Sequence, residues 1–281
     1  MNAVVNALLN PPRTLHGLRH LLGGGTRDLT GATIVVTGAS SGIGEAAAHR
    51  FAQRGATVIA VARHLDALQS VCGSIADDGG HAVAVTADLS DTADAARLAE
   101  TILDRFGPPD VLVNNAGRSI RRPVIDTVDR FHDYERTMAL NYFGPVRLIL
   151  GLLPAMIDAG RGHIVNVVTW GVTAGSMPKF SAYHASKSAL AAFGRSLDAE
   201  CDGTGVRVTN AGFPLVRTPM IAPTADYDTA PALTSDQAAD WLLDAVDSGA
   251  AEVYPRYAVI LRGVSALSPR AVGRIIGRVG I

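Results

Sequence analysis

A phenol and an ammonium stand one helical turn apart in the stretch SAYHASKSAL, residues 181–190, as Tyr183 and Lys187. A free tyrosine, with a pKa near 10, is a poor acid or base at neutral pH. An ammonium beside it stabilises the phenolate and draws that pKa downward, which is what proton transfer to a substrate requires. Such a pair alone is ordinary helix surface, so its chemistry depends on what else the chain carries.

A second chemical element is TGASSGIG, Thr37 to Gly44, set between an apolar run and a helical pattern. Gly38, Gly42 and Gly44, with Ser40, Ser41 and Ile43 among them, allow a tight turn and close approach of backbone N–H groups to a pyrophosphate at a helix amino end. The spacing differs from the G-x-G-x-x-G of other dinucleotide folds. At the end of the next apolar run, VIAVARH places Arg63 and His64 where a carboxylate would bind the ribose hydroxyls of NAD. Arg63 can instead make charge-assisted bonds to a 2′-phosphate, so NADP(H) is the expected cofactor.

The elements that must position these groups follow a regular pattern from residue 32. ATIVVTG, TVIAVAR, HAVAVTADL, DVLVNNAG, GHIVNVVT, VRVTNAGF and AAEVYP read as seven buried strands separated by helical segments, among them a long helix from about Tyr134 to Ala159. Strands that alternate with helices and lack internal polar alternation imply a parallel sheet covered on both faces. Right-handed crossovers then give a single Rossmann-type, doubly wound α/β domain at 31–257, with an arm at 1–30 and an amphipathic tail at 258–281.

Composition excludes several functions. The 281 residues, 48% hydrophobic, suffice for one core, and 25 basic against 26 acidic residues leave a formal charge of -1, with no overall field for nucleic acid or an anionic membrane, so any anionic partner must be met locally. Cys72 and Cys201 lie outside any metal-like spacing and read as reduced thiols of a cytoplasmic protein. No uninterrupted apolar run reaches the roughly 18 residues of a membrane span, and the amino terminus lacks an export signal. A short amphipathic helix is expected between Pro12 and Gly23; its His16 and His20 have no third ligand, so no metal site is expected. The tail from Val259 fits a cover for the pocket or an oligomer interface, with peripheral membrane contact as the third option.

Several motifs in order, TGASSGIG, ADLSD, NNAG at 114–117, MALNYFG, HIVNVVT and YHASK, resemble the short-chain dehydrogenase/reductase family from about residue 30 to 255. The resemblance implies an oxidoreductase in which Tyr183 protonates a carbonyl oxygen as hydride arrives. Lys187 would hold the nicotinamide ribose and lower the tyrosine pKa, and Asn141 would support a water relay to that lysine. Asp88 and Leu89 would border the adenine; Asn115, Ala116 and Gly117 would flank the adenosine ribose; Ser40 and Arg63 would share the 2′-phosphate. Two positions depart from the family: Thr169 stands where a serine is usual, with Thr173 and Ser176 as fallback hydroxyls, and Leu215 replaces a glycine between Pro214 and Val216. Pro214, Val216 and Thr218 can still face the carboxamide.

The stretches NNAGRSIRR, YERTMALNYFG and PLVRTPMIAPT are similar to bacterial fatty acyl-CoA reductases, a branch of that family. A fatty acyl thioester or long-chain aldehyde is the implied substrate. Another bulky ketone or alcohol suits the segment 220–233 equally, and a non-catalytic dinucleotide-binding protein is the third reading. Arg118, Arg121, Arg122 and Arg217 fall on loops where they could meet coenzyme A phosphates. The family architecture implies a homodimer or homotetramer through apolar outer faces of the helices at 134–159 and 181–202.

Overall fold

The computed structural model describes residues 3–12, 28–222, 224–227, 229–268, 270, 272–274 and 276. Among them the β-rich apolar runs form β1 (Thr33–Thr37), β2 (Thr57–Ala62), β3 (His81–Thr86), β4 (Val111–Asn114), β5 (Gly162–Thr169), β6 (Val206–Phe213) and β7 (Glu252–Val253). All pair in parallel in the order β3-β2-β1-β4-β5-β6-β7. The chain winds outward from β1 to β3, then returns to place β4 on the other side of β1. That reversal opens a crevice at the carboxyl ends of β1 and β4, where open α/β sheets hold ligands.

The helices are α1 (Ala3–Leu9), α2 (Gly42–Gln53), α3 (Leu65–Asp77), α4 (Thr92–Phe106), α5 (His132–Met138), α6 (Gly144–Asp158), α7 (Ser181–Glu200), α8 (Ser235–Ser248) and α9 (Arg256–Leu267). Helices α2, α3 and α8 bury Phe51, Leu68, Ile75 and Leu242 on one face of the sheet. Helices α4, α6 and α7 bury Leu98, Ile102, Leu148, Leu152 and Leu197 on the other. Each fully buried side chain of this kind contributes about 1.5–3 kcal/mol on leaving water, set against the entropy of ordering the chain. Local signals fix the ends: Thr234 and Gln237 form a capping box on α8, and left-handed Gly249 ends it.

The long helix expected near 134–159 runs from His132 to Asp158, but through a π-helical turn at Ala139–Phe143. By length and mean hydropathy (27 residues, 1.4) this helix could cross a membrane. One side of it is packed into the protein, where Leu148, Ile149, Leu152 and Met156 are fully buried. Its outer face carries Phe143, Leu150 and Ile157, seven residues apart. The outer face of α7 differs from expectation: Ala185, Ala192 and Ala199 present small side chains beside Arg195 and Ser196. The helix expected between Pro12 and Gly23, with His16 and His20, lies outside the described residues.

Candidate active site

The loop after β1 and the start of α2 form one wall of a cleft of about 420 Å³. Gly38 has φ +67°, and an added Cβ there would lie 2.9 Å from the Ala116 Cα. Gly44 approaches closer still: its Cβ would lie 2.2 Å from the Gly38 carbonyl oxygen and 2.5 Å from Asn115 Nδ2. Helix α2 can therefore begin against the loop only with glycine at 44. Ser41, its N-cap residue, makes no side-chain cap bond, and Gly42 and Ile43 of the first turn line the cleft. Such a helix start offers its N–H groups to an anion. Gly44→Ala forces the backbone apart; the expected result is a melting temperature several degrees lower, from about 1–3 kcal/mol of overpacking, together with lost dinucleotide affinity in a fluorescence titration.

The turn after β4 is pinned by a residue whose role sequence reasoning missed. The Thr37 hydroxyl donates to the Val113 carbonyl at 3.2 Å and accepts from the Asn115 and Ala116 N–H groups, both at 3.0 Å. Asn115 Nδ2 donates back to the Thr37 carbonyl at 2.9 Å. Strand register adds a second tie: Asn114, Asn166 and Asn210 stand side by side across β4, β5 and β6. Asn114 donates to Asn166 at 3.0 Å, Asn166 to Asn210 at 3.4 Å, and Asn210 to the Ala191 carbonyl of α7 at 3.0 Å. This buried polar ladder fixes the height of α7 on the sheet, one turn beyond Lys187.

At the start of α7 the side chains of Tyr183 and Lys187 both line the cleft. The Thr169 side chain, at the end of β5, lies near enough to the Tyr183 hydroxyl to work towards lowering its pKa. Thr169 also accepts the Gly171 N–H at 3.4 Å, which sets its rotamer. Lys187 is buried, and its ammonium donates to the Val167 carbonyl at 2.7 Å. Asn141, on the π turn, does not line the cleft. It accepts the Arg118 N–H at 2.8 Å and donates to the Arg118 carbonyl and the Ser186 hydroxyl, both at 2.9 Å. Asn141 Oδ1 and Lys187 Nζ nevertheless converge on Gly117, 3.2 and 3.3 Å from where its Cβ would be.

The electrostatics correct one expectation. Burial pushes the Tyr183 phenol up to about 12, with the Thr169 hydroxyl pulling the other way. Lys187 is itself lowered by burial, to about 8. The Lys187 ammonium donates to the Val167 carbonyl, and burial favours the protonated form of the tyrosine at neutral pH. The fallback hydroxyls are placed elsewhere: Thr173 donates to the Trp170 and Ala258 carbonyls at 2.8 and 3.2 Å, and the hydroxyl of half-buried Ser176 is covered beside Gly273, outside the cleft lining.

Gly38, Ser40, Ser41, Gly42, Ile43, Arg63, His64, Leu89, Asn115, Ala116, Gly117, Pro214, Val216 and Thr218 line the same cleft. Gly44 and Asp88 sit behind its wall. Burial works against the Asp88 charge, but the Ser90 hydroxyl and N–H, with Arg63 and Arg118 nearby, hold its carboxyl below the ordinary range. Arg118 is depressed first by burial and then by the like charges of Arg136 and Arg63. A region of crowded cations therefore lies at the β2 end of the cleft. The other end is apolar, walled by Trp170, Met177, Phe180, Leu215, Ile221 and Tyr227.

The four loop arginines divide. Arg118 and Arg121 line the cleft, and Arg121 pairs with Asp226 at 2.9 Å and lies 5.7 Å over the Tyr227 ring. Arg122 is bound to buried Asp133, which also holds Arg130 and Arg136. Arg217 is exposed and donates to the Ala230 carbonyl at 3.1 Å. Neither Arg122 nor Arg217 borders the cleft.

Comparison with known proteins agrees with this geometry. Residues 32–228 match the family model described as short chain dehydrogenase. The chain belongs to the short-chain dehydrogenase family. A fatty acyl-CoA reductase of Mycobacterium tuberculosis is 48% identical over 251 residues, covering 89% of this chain and 85% of that one. A fatty acyl-CoA reductase of Acinetobacter baylyi is 48% identical over 219 residues, 78% and 74% of the two chains. The crystal structure of a metagenomic short-chain oxidoreductase in complex with NADP superposes with a TM-score of 0.69 at 31% identity, covering 81% of this chain and 97% of that one. As a member of the short-chain dehydrogenase family the protein is an oxidoreductase that works with a nicotinamide dinucleotide.

Proposed function

We propose that the protein is an NADPH-dependent reductase of long-chain acyl thioesters, releasing an aldehyde and a thiol. The observation that carries this reading is that Tyr183, Thr169 and Lys187 line one cleft together with the glycine loop and Arg63 and with an apolar wall of Trp170, Met177, Phe180 and Tyr227. Two relatives with nearly half their residues in common bear the corresponding name.

The cleft suits the dinucleotide. The glycine turn leaves no room for side chains where the backbone meets the ligand, and Arg63 with Ser40 suits a 2′-phosphate. Bound NADPH would supply the hydride. The chain's own work is with the carbonyl oxygen: Thr169 and Tyr183 donate to it, the negative charge that develops there is met by these fixed donors, and Tyr183 holds the proton that can be passed on. The phenolate left behind is stabilised by the Thr169 hydroxyl, with the Lys187 ammonium one turn away. Collapse of the tetrahedral adduct re-forms the C=O bond and breaks the C–S bond, the sulfur leaving as thiol with the proton that Tyr183 had passed to the oxygen, so no nucleophilic cysteine is needed; Cys72 and Cys201 are raised by burial and stand apart from the cleft.

Arg63→Gln is expected to raise the Kd for NADPH about 10- to 100-fold, the range for losing a charged hydrogen bond, while leaving NADH binding nearly unchanged in the same titration. The activity itself is tested by a screen of acyl-CoA chain lengths, long aldehydes and bulky ketones with both cofactors. A long-chain thioester should give the highest kcat/KM and release aldehyde with free thiol. Oxidation of NADPH only with a ketone would replace this reading with that of a carbonyl reductase of another substrate class.

A further inference from the structure

The two ends of the chain meet on one face of the molecule. Helix α1 packs against α9, the Arg256 N–H donates to the Asn10 carbonyl at 3.1 Å, and Trp241 Nε1 donates to Asn10 Oδ1 at 3.3 Å. The inner side of α9 is anchored. Tyr257 packs edge-on against Trp170 with ring centroids 5.2 Å apart, Ala258 is buried, and the Ser265 hydroxyl donates to the Ala174 carbonyl at 3.1 Å. Beyond α9, Val272 and Ile276 are buried in the same cluster as Phe180 and Tyr227.

The outer side is a different surface. Val259, Ile260, Val264 and Leu267 form one helical stripe, exposed at 47, 61, 40 and 90%, and Val4 and Leu8 of α1 are exposed as well. Arg270 and Arg274 stand exposed on the helical turn that follows, and exposed Arg262 reaches Glu252 at 2.7 Å. Charge is segregated along the sequence to match. Residues 254–281 hold five arginines and residues 1–27 three, with no aspartate or glutamate in either stretch, on a chain whose formal net charge is -1.

We propose that this face docks on an anionic lipid surface, with the stripe of α9 entering the headgroup boundary and the arginines meeting lipid phosphates. Apolar residues on one helical face beside cations, with Glu252 as the carboxylate that meets one of them, fit an interfacial helix. A second copy of the chain fits worse, because a two-fold contact through this face would bring together two sets of Arg262, Arg270 and Arg274 with Glu252 as the carboxylate seen to offset them. Since the same helix packs against Trp170 of the cleft wall, docking would hold the apolar end of the cleft near a lipid phase. The inference stands on the surface alone and does not depend on which substrate is reduced.

The test is flotation of the full chain with vesicles of phosphatidylcholine, with and without one-third phosphatidylglycerol. Partition into the anionic vesicles is expected to be at least about tenfold stronger and to weaken with added salt. Arg270→Gln with Arg274→Gln should weaken it about 25-fold, at about fivefold per arginine near such a surface. Ile260→Asp with Leu267→Asp should abolish it while leaving the melting temperature and NADPH affinity unchanged, since both side chains are exposed. Equal partition into both vesicles, no partition into either, or an aspartate variant that binds like the parent would overturn the proposal. So would an aspartate variant that merely dissociates an oligomer while the parent ignores vesicles, which would assign the face to a second copy.

Discussion

Tyr183→Phe lowers kcat for the reductive reaction by about a thousandfold, within the 10²–10⁴ range for a positioned general acid, while the Kd for NADPH stays within about twofold. The substitution removes one oxygen and keeps the ring against Phe180, whose centroid lies 6.2 Å away. It leaves Thr169 its bond to the Gly171 N–H and Lys187 its bond to the Val167 carbonyl. The loss should therefore appear in kcat and kcat/KM together, as for an interaction made in the transition state. The check is steady-state kinetics beside a fluorescence titration with NADPH. A variant that binds NADPH normally and keeps more than about a tenth of the parental kcat would remove Tyr183 from the proton path.

The second large effect concerns Lys187 and pH. Its side chain is buried and its pKa falls from 10.5 to about 8 because burial disfavours the ammonium. The ammonium is thus present below about pH 8 and lost above it. kcat/KM for NADPH reports the free protein, so it should be flat near neutrality and fall as pH rises through about 8. Lys187→Met should lower the neutral plateau by about a hundredfold, within the range for a single charged donor at the reacting centre, and abolish that limb. Stability moves the other way. The folded pKa lies below the unfolded one, so between about pH 8 and 10.5 the unfolded chain binds more protons and this lysine's contribution to stability rises with pH. A pH profile unchanged in the methionine variant would show that another group governs the limb.

The strands were legible because each is a short run rich in apolar and β-branched residues bounded by turn residues, and the glycine loop because its place between strand and helix is readable locally. The doubly wound order followed from the handedness of crossovers. What the sequence concealed needs three dimensions. The π turn at Ala139–Phe143 leaves no mark on the hydropathy of 132–158, so Asn141 was recognised by motif while its bonds to Arg118 and Ser186 were not foreseen. The Asn114–Asn166–Asn210 ladder depends on register across three strands distant in sequence. Thr37 acts through a loop nearly eighty residues away, at Asn115 and Ala116. Among neighbouring hydroxyls, only the backbone path after β5 separates Thr169 from Thr173 and Ser176. The same holds for charge: spacing did not disclose that Asp133 takes up Arg122, leaving Arg118 and Arg121 at the cleft.

In the structure, burial outweighs the expected acidification of Tyr183 by Lys187, and this favours the protonated phenol. Two groups carried on one helix into a dry cleft are both desolvated, and desolvation raises a phenol and lowers an ammonium. A tyrosine near 12 holds its proton at neutral pH, the state a carbonyl reductase needs before each turnover.

The most direct measurement is a crystal structure of the protein with NADPH. It should show the pyrophosphate at the start of α2, the 2′-phosphate on Arg63, the ribose hydroxyls within reach of Lys187, and the nicotinamide ring beside the Tyr183 and Thr169 hydroxyls. A nicotinamide lying out of reach of Tyr183, or a dinucleotide bound away from Gly38–Gly44, would contradict the account.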